Sequence, residues 1–195
     1  IPIDCVSAFI FADPNYQAAC LTTGPDECIL QFSSALVNSL DTDELSFVIG
    51  HEIGHFLLEH QGILKNDLAP ESFLSNRAQE ISADRIGVIG TKNLNASISA
   101  LIKTVSGLDK SLIRFDIAEF LSQIDELENP NAGEHINNTH PSILIRARSL
   151  IWLKTEVDIE NYQEGIQGEA INKVNKRVQA DLDKYVDSAL NNKIK

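Results

Sequence analysis

The amino-acid sequence predicts an α+β protein that is mainly helical, with a small antiparallel sheet at its N-terminal end. Three short segments rich in apolar residues come first, at 6–11, 16–23 and 28–32, and turn residues separate them. Connections as short as these favour antiparallel pairing. After residue 40 the apolar residues recur at helical spacing, in segments longer than ordinary strands.

The first long helix after the sheet is the best specified element. Asp41 is a good N-cap, and Glu44 three residues later completes a capping-box pair. We therefore expect a helix over 42–60 that crosses the core. Gly54 inside it costs about 1 kcal/mol relative to Ala, and close approach of another backbone is one physical reason to carry it. Its apolar face consists of Leu45, Val48, Ile49, Phe56 and Leu57.

The rest of the chain also reads as helices. Small residues at Ser82 and Ala83 would let the second long helix pack closely against a neighbour. A loop is expected at 129–139, and the charged tail from Asp158 has a helical pattern. The remaining helices are predicted at 71–89, 94–108, 111–127 and 140–153.

Composition and charge limit the class of partner. The 195 residues carry a net charge of −12, which argues against nucleic acid and anionic membrane surfaces. No apolar run reaches a membrane span, and no signal-peptide pattern opens the chain. Three cysteines, none in a C-x-x-C pair, predict free thiols, with one disulfide and a spare thiol as the alternative. By default we expect a cytoplasmic protein. A segment before Ile1, absent from this chain, would be the only route to membrane association or a periplasmic location.

The motif on which the functional prediction depends is His51-Glu52-Ile53-Gly54-His55, which fits the pattern H-E-x-x-H. Two histidines four apart lie on one helix face, and both can reach one zinc ion at about 2.0–2.1 Å. Glu52 is then placed to take a proton from a metal-bound water. The alternative is an ordinary helix that carries these residues by chance. His60 lies outside the ligand spacing, and we expect it at the surface.

A catalytic zinc site needs a third protein ligand beside an open position for water. Arg77, Glu80 and Asp84 share one face of the second long helix, a pattern that is common on solvated faces. The need for a third ligand favours Glu80 over that alternative. Asp84, one turn later, would accept the second ring N–H of a zinc-binding histidine.

These motifs resemble a known group of enzymes. The order H-E-x-x-H followed by Glu80-Ile81-Ser82-Ala83-Asp84 is similar to the H-E-x-x-H … E-x-x-x-D pattern of gluzincin metallopeptidases. More narrowly, the chain from about Val6 to Leu150 resembles CAAX prenyl proteases and HtpX-like heat-shock proteases. That narrower resemblance comes from Val6-Ser7-Ala8-Phe9, Asp43-Glu44-Leu45 and His140-Pro141-Ser142 with Arg146.

The resemblance implies a zincin-type metallopeptidase domain at 1–155 and a helical C-terminal extension at 156–195. It implies Glu52 as general base, Asp84 in support of the site, and Zn²⁺ as cofactor on His51, His55 and Glu80. His140 would be catalytic, near the cleft, where it polarises the scissile carbonyl or gates the metal. Its alternative is a structural histidine at the start of a helix. Arg146 would tie that segment to the zinc helices.

The function that follows is a zinc-dependent endopeptidase acting on unfolded or extended protein or peptide segments, through a zinc-bound water that Glu52 activates. An exposed sheet edge would hold such a segment as an added strand. The alternative is a latent or non-catalytic zinc-binding module that acts through a protein partner. A tail helix across the cleft, or His140 as a fourth ligand, would favour it. A helical interaction protein without metal would be excluded by stoichiometric zinc.

Overall fold

The computed structural model describes residues 3–60, 70–108, 110–112, 119, 122, 143–158 and 164–193. The chain divides into two compact units, the first comprising 1–66 and 82–114 and the second 67–81 and 115–195. The division falls inside one continuous helix, Pro70–Thr91. The domain boundary expected between residues 155 and 156 stays a prediction.

The first unit begins with a three-stranded mixed sheet. Its strand order is β1-β3-β2, with β3 antiparallel to β2 and parallel to β1. The prediction of an antiparallel sheet is therefore wrong for the β1–β3 pair. The reason is that β3 buries Cys28, Leu30 and Phe32 and takes the central position, so residues 12–17 lead to its far side instead of forming a hairpin. The strands are β1, Cys5–Phe11; β2, Ala18–Gly24; and β3, Glu27–Ser33.

Two helices follow the sheet directly. The short helix α1, Ser34–Ser39, is capped by the Ser33 side chain and was not predicted as a separate element. Helix α2, Thr42–Leu57, begins with the predicted capping box, which the structure confirms. The Glu44 backbone N–H donates to Asp41 Oδ1 at 3.0 Å, and the Asp41 N–H donates to Glu44 Oε2 at 2.8 Å. The start of the motif helix is thus fixed by local hydrogen bonds.

A buried ion pair attaches the N-terminal end of α2 to a later helix of the first unit. Helix α3, Pro70–Thr91, is followed by helix α4, Leu94–Ser106, and then by a 3-10 turn at Lys110–Leu112. The Nζ of Lys103 in α4 lies 2.5 Å from Glu44 Oε2, and both side chains are almost wholly buried. The hydroxyl of Ser99 donates to the other oxygen of the Glu44 carboxylate at 2.6 Å. The capping carboxylate therefore also holds α4 against α2.

Within the first unit, α2 and α3 cross with almost no side-chain volume between them. A Cβ added at Gly50 would lie 2.9 Å from Gly87 Cα, and one added at Gly54 would lie 3.0 Å from Ala83 Cα. The close approach expected at Gly54 and Ala83 is confirmed. This crossing brings the second half of α3 against the face of α2 that carries the motif.

The second unit contains helix α5, Ile143–Glu156, and helix α6, Glu164–Lys193, which pack on one another. Asp181 of α6 accepts a hydrogen bond from Arg148 Nε at 2.8 Å, and the guanidinium of Arg148 lies over the ring of Trp152. The predicted tail helix is confirmed. The loop at 129–139, the start of the helix at His140 and most of the helix at 111–127 lie outside the described residues.

Across the described ranges we find no helix that is both long and apolar enough to cross a membrane.

Candidate metal centre on helices α2 and α3

The two histidines of the motif converge on a single point. His51 and His55 lie one turn apart on α2, and their Nε2 atoms are 3.1 Å apart. Two imidazole nitrogens bound to one tetrahedral zinc at 2.0–2.1 Å would be separated by about 3.3 Å. The spacing in the structure is therefore close to what a shared zinc ion requires.

Glu80 supplies the third candidate ligand. It lies one turn before Asp84 in the continuous helix α3. One ligand atom from each of His51, His55 and Glu80 can be chosen so that all three lie within 4.8 Å of one another. Two imidazoles and one carboxylate form a donor set typical of catalytic zinc, which keeps a fourth position for water. These residues fit a zinc ion by both their chemistry and their spacing.

A buried carboxylate contacts the His51 ring at Nδ1 and fixes its orientation. Its Nδ1 lies 2.9 Å from Asp84 Oδ1, and Asp84 is fully buried. Because a carboxylate only accepts hydrogen bonds when ionised, this contact assigns the proton of His51 to Nδ1. The lone pair of Nε2 then faces His55, as metal binding requires.

The face of α3 that carries these acidic residues is not solvated. Arg77 and Asp84 are buried, with exposed fractions of 5% and 0%, and Glu80 is partly buried. The solvated-face alternative is therefore wrong. In the second unit Arg146 Nη1 lies 3.5 Å from Glu80 Oε2, so the guanidinium from α5 contacts the candidate ligand. Periodicity alone could not separate a buried from a solvated face, because both give the same spacing.

Glu52 is buried, and β2 packs against the helix that carries it. Its negative charge acts on the thiol of Cys20 in β2, whose pKa is raised to about 12. Burial is the largest cause, followed by the hydrogen bond with Cys28 and the charges of Cys28 and Glu52. At neutral pH the Cys20 thiol is protonated, which disfavours it as a nucleophile.

His60 makes a contact that was not predicted from the sequence. The residue was expected at the surface, yet it is half-buried and its Nδ1 lies 3.0 Å from Nδ1 of His55. The sequence held one signal for this contact, which is that His55 and His60 are five residues apart across the end of α2. Two residues at this spacing meet when the helix ends in a left-handed residue. His140, predicted to be catalytic, lies outside the described residues.

Comparison with known proteins adds one result. Residues 22–73 match the model of peptidase family M48. The match includes His51, Glu52 and His55 but ends before Glu80. It supports an M48 metallopeptidase and therefore, in general terms, a zinc metallopeptidase activity. No curated protein and no solved structure gives a significant match.

Proposed function

We propose that this chain is a zinc-dependent endopeptidase that hydrolyses peptide bonds in unfolded or extended protein segments. The observation that carries the proposal is the convergence of His51, His55 and Glu80, with Glu52 next to His51 in the same helix. The narrower likeness to CAAX prenyl and HtpX-like proteases is part of this proposal. It rests on the motifs around Val6 and His140 as well as on the zinc helix.

The residues around the site have separate roles in the proposed reaction. Zinc bound there would act as a Lewis acid and lower the pKa of a water molecule toward 7. Glu52 accepts a proton from the attacking water as the new C–O bond forms, and then passes it to the amide nitrogen as the C–N bond breaks. Asp84 keeps the proton of His51 on Nδ1 throughout the cycle.

Two residues from the later part of the chain complete the proposal. Arg146, close to one oxygen of Glu80, holds that carboxylate in orientation and leaves the second oxygen for the metal. We assign His140 the task of donating a hydrogen bond to the developing oxyanion. A well-placed donor of this kind contributes about 3–4 kcal/mol.

The substrate would bind along the edge of β2. In the described sheet β2 is an edge strand, and it packs on α2. Burial and the neighbouring Cys28 raise the pKa of Cys20, which lies within β2, and the charge of Glu52 raises it further. An extended peptide that adds to this edge by backbone hydrogen bonds therefore passes beside the general base. A folded substrate already has its backbone groups paired, which explains the proposed preference for unfolded or extended segments.

The test is cleavage of casein, an unfolded protein, by the parent and by Glu52→Gln, with zinc content measured on both. Removal of a general base costs about 10²–10⁴-fold in rate, while the zinc ligands stay intact. We expect equal zinc and loss of cleavage in Glu52→Gln. Glu169→Gln makes the same change at an exposed site on α6 and should cleave like the parent.

The other outcomes separate the competing functions. Zinc in both proteins with cleavage by neither would support the latent or non-catalytic zinc-binding module. Equal cleavage by the parent and Glu52→Gln would refute Glu52 as the base. A parent without zinc would refute the metallopeptidase altogether.

A further inference from the structure

The motif helix α2 ends in a way that brings one more side chain to the candidate metal centre. Glu59, just beyond the helix, has a left-handed backbone with φ of 53°. Its N–H donates to the carbonyl of Phe56 at 3.1 Å, and the N–H of His60 donates to the carbonyl of His55 at 2.9 Å. These two bonds are those of a Schellman motif, which closes a helix by turning the chain back over its last turn.

A Schellman motif places two specific side chains in contact. The residue after the left-handed position meets the residue five before it, and this contact is usually apolar. Here the two residues are His60 and His55, with ring centroids 5.1 Å apart and planes inclined by 69°. Their Nδ1 atoms are 3.0 Å apart, which is hydrogen-bonding distance. At this helix end, a hydrogen bond between two imidazoles therefore takes the place of the usual apolar contact.

The direction of this hydrogen bond follows from the proposed role of His55. If its Nε2 binds the metal, the proton of the neutral ring is on Nδ1, and this Nδ1–H needs an acceptor. The unprotonated Nδ1 of His60 is placed to be that acceptor. His51 has a corresponding acceptor in Asp84. Each motif histidine is therefore supported on the side away from the metal.

We propose that His60 is a positioning residue of the metal centre, which fixes the orientation and tautomer of His55 by accepting its Nδ1–H. This inference rests on the proposed function, because it takes His55 as a zinc ligand. His60 itself does not contact the reacting atoms in this arrangement. Because it is half-buried and lies at a helix end, its loss should weaken zinc binding more than folding.

The test compares His60→Asn with His60→Leu, two side chains of nearly equal shape. Asn places Oδ1 close to the former Nδ1 and keeps an acceptor, whereas Leu offers none. The zinc dissociation constant is measured by competition with a chelating dye, beside the melting temperature of the metal-free protein. Loss of such a partner typically weakens metal binding by about 10–100-fold. We expect this loss in His60→Leu, an affinity close to the parent's in His60→Asn, and equal melting temperatures of the two metal-free variants.

Each result decides the question. Equal zinc affinity of His60→Leu and the parent would overturn the proposal, and so would equal weakening in both variants, which would point to His60 as a zinc ligand. A metal-free His60→Leu that melts well below His60→Asn would show a structural role instead. The visible absorption of bound Co²⁺ should change in His60→Leu and be retained in His60→Asn. A parent that binds no zinc would be a failure of the proposed function and not of this inference alone.

Discussion

The crossing of α2 and α3 gives the sharpest prediction about how the fold holds the metal centre. Gly50→Ala adds a Cβ that would lie 2.9 Å from the Cα of Gly87. Carbon atoms in favourable contact are about 3.5–4.0 Å apart, so the two helices would have to separate by roughly 0.6–1.1 Å. The obstacle is backbone on the facing helix, which cannot rotate away as a flexible side chain can.

The magnitude follows from a matched substitution. In an open helix Gly→Ala stabilises by up to about 1 kcal/mol, because it removes backbone freedom from the unfolded chain. Gly90→Ala, at an exposed position where the added Cβ would meet no atom within 4 Å beyond the local backbone of α3 itself, should show that gain. Gly50→Ala has the same propensity gain and in addition an overpacking cost of about 1–3 kcal/mol. We therefore expect Gly50→Ala to be the less stable variant by about 1–3 kcal/mol.

The assay is urea unfolding of the metal-free proteins. Stability is compared by the urea concentration at the midpoint of unfolding, provided that the variants share the same dependence of unfolding free energy on urea. The zinc affinity of the same variants provides a second readout, because α3 carries Glu80 and Asp84. A displaced α3 should weaken zinc binding in Gly50→Ala and leave it unchanged in Gly90→Ala. If Gly50→Ala were as stable as Gly90→Ala and bound zinc equally well, the argument from the close crossing would be refuted.

Two further predictions concern buried charges. Asp84→Asn replaces the carboxylate 2.9 Å from His51 Nδ1 with a neutral amide, and we expect zinc affinity to fall by about 10–100-fold. Chelator competition measures this, and an unchanged affinity would contradict the role given to Asp84. Lys103→Met leaves the carboxylate of Glu44 buried without its cation, which typically costs about 3–5 kcal/mol in unfolding free energy. Glu44→Gln in that background should restore part of the loss, and the absence of any recovery would show that the charge is not its cause.

Much of the candidate site could be predicted because its geometry is local. The capping pair at Asp41 fixes the start of α2, and the helical period then puts His51 and His55 on one face. Gly54 could be interpreted in advance because a glycine inside a helix is unfavourable without a reason. The features that the sequence predicted well are those that depend on a few neighbouring residues.

The features that it missed depend on tertiary structure or on an unusual backbone. Nothing local shows that β3 separates β1 from β2, since strand order is decided by which strand buries most apolar surface. The environment of Arg77 is decided by packing and not by periodicity. His60 was expected at the surface because it lies outside the ligand spacing. The turn that brings it to His55 gave no signal, because a left-handed residue is usually Gly or Asn and here it is Glu59.

X-ray absorption at the zinc edge would identify the atoms that bind the metal and so decide whether two imidazoles and a carboxylate hold a zinc ion. We expect one zinc per chain, with two nitrogen ligands and an oxygen shell at about 2.0–2.2 Å. No bound zinc would contradict it. A sulfur shell at about 2.3 Å would also contradict it, because the metal would then be bound by cysteine and not by His51, His55 and Glu80.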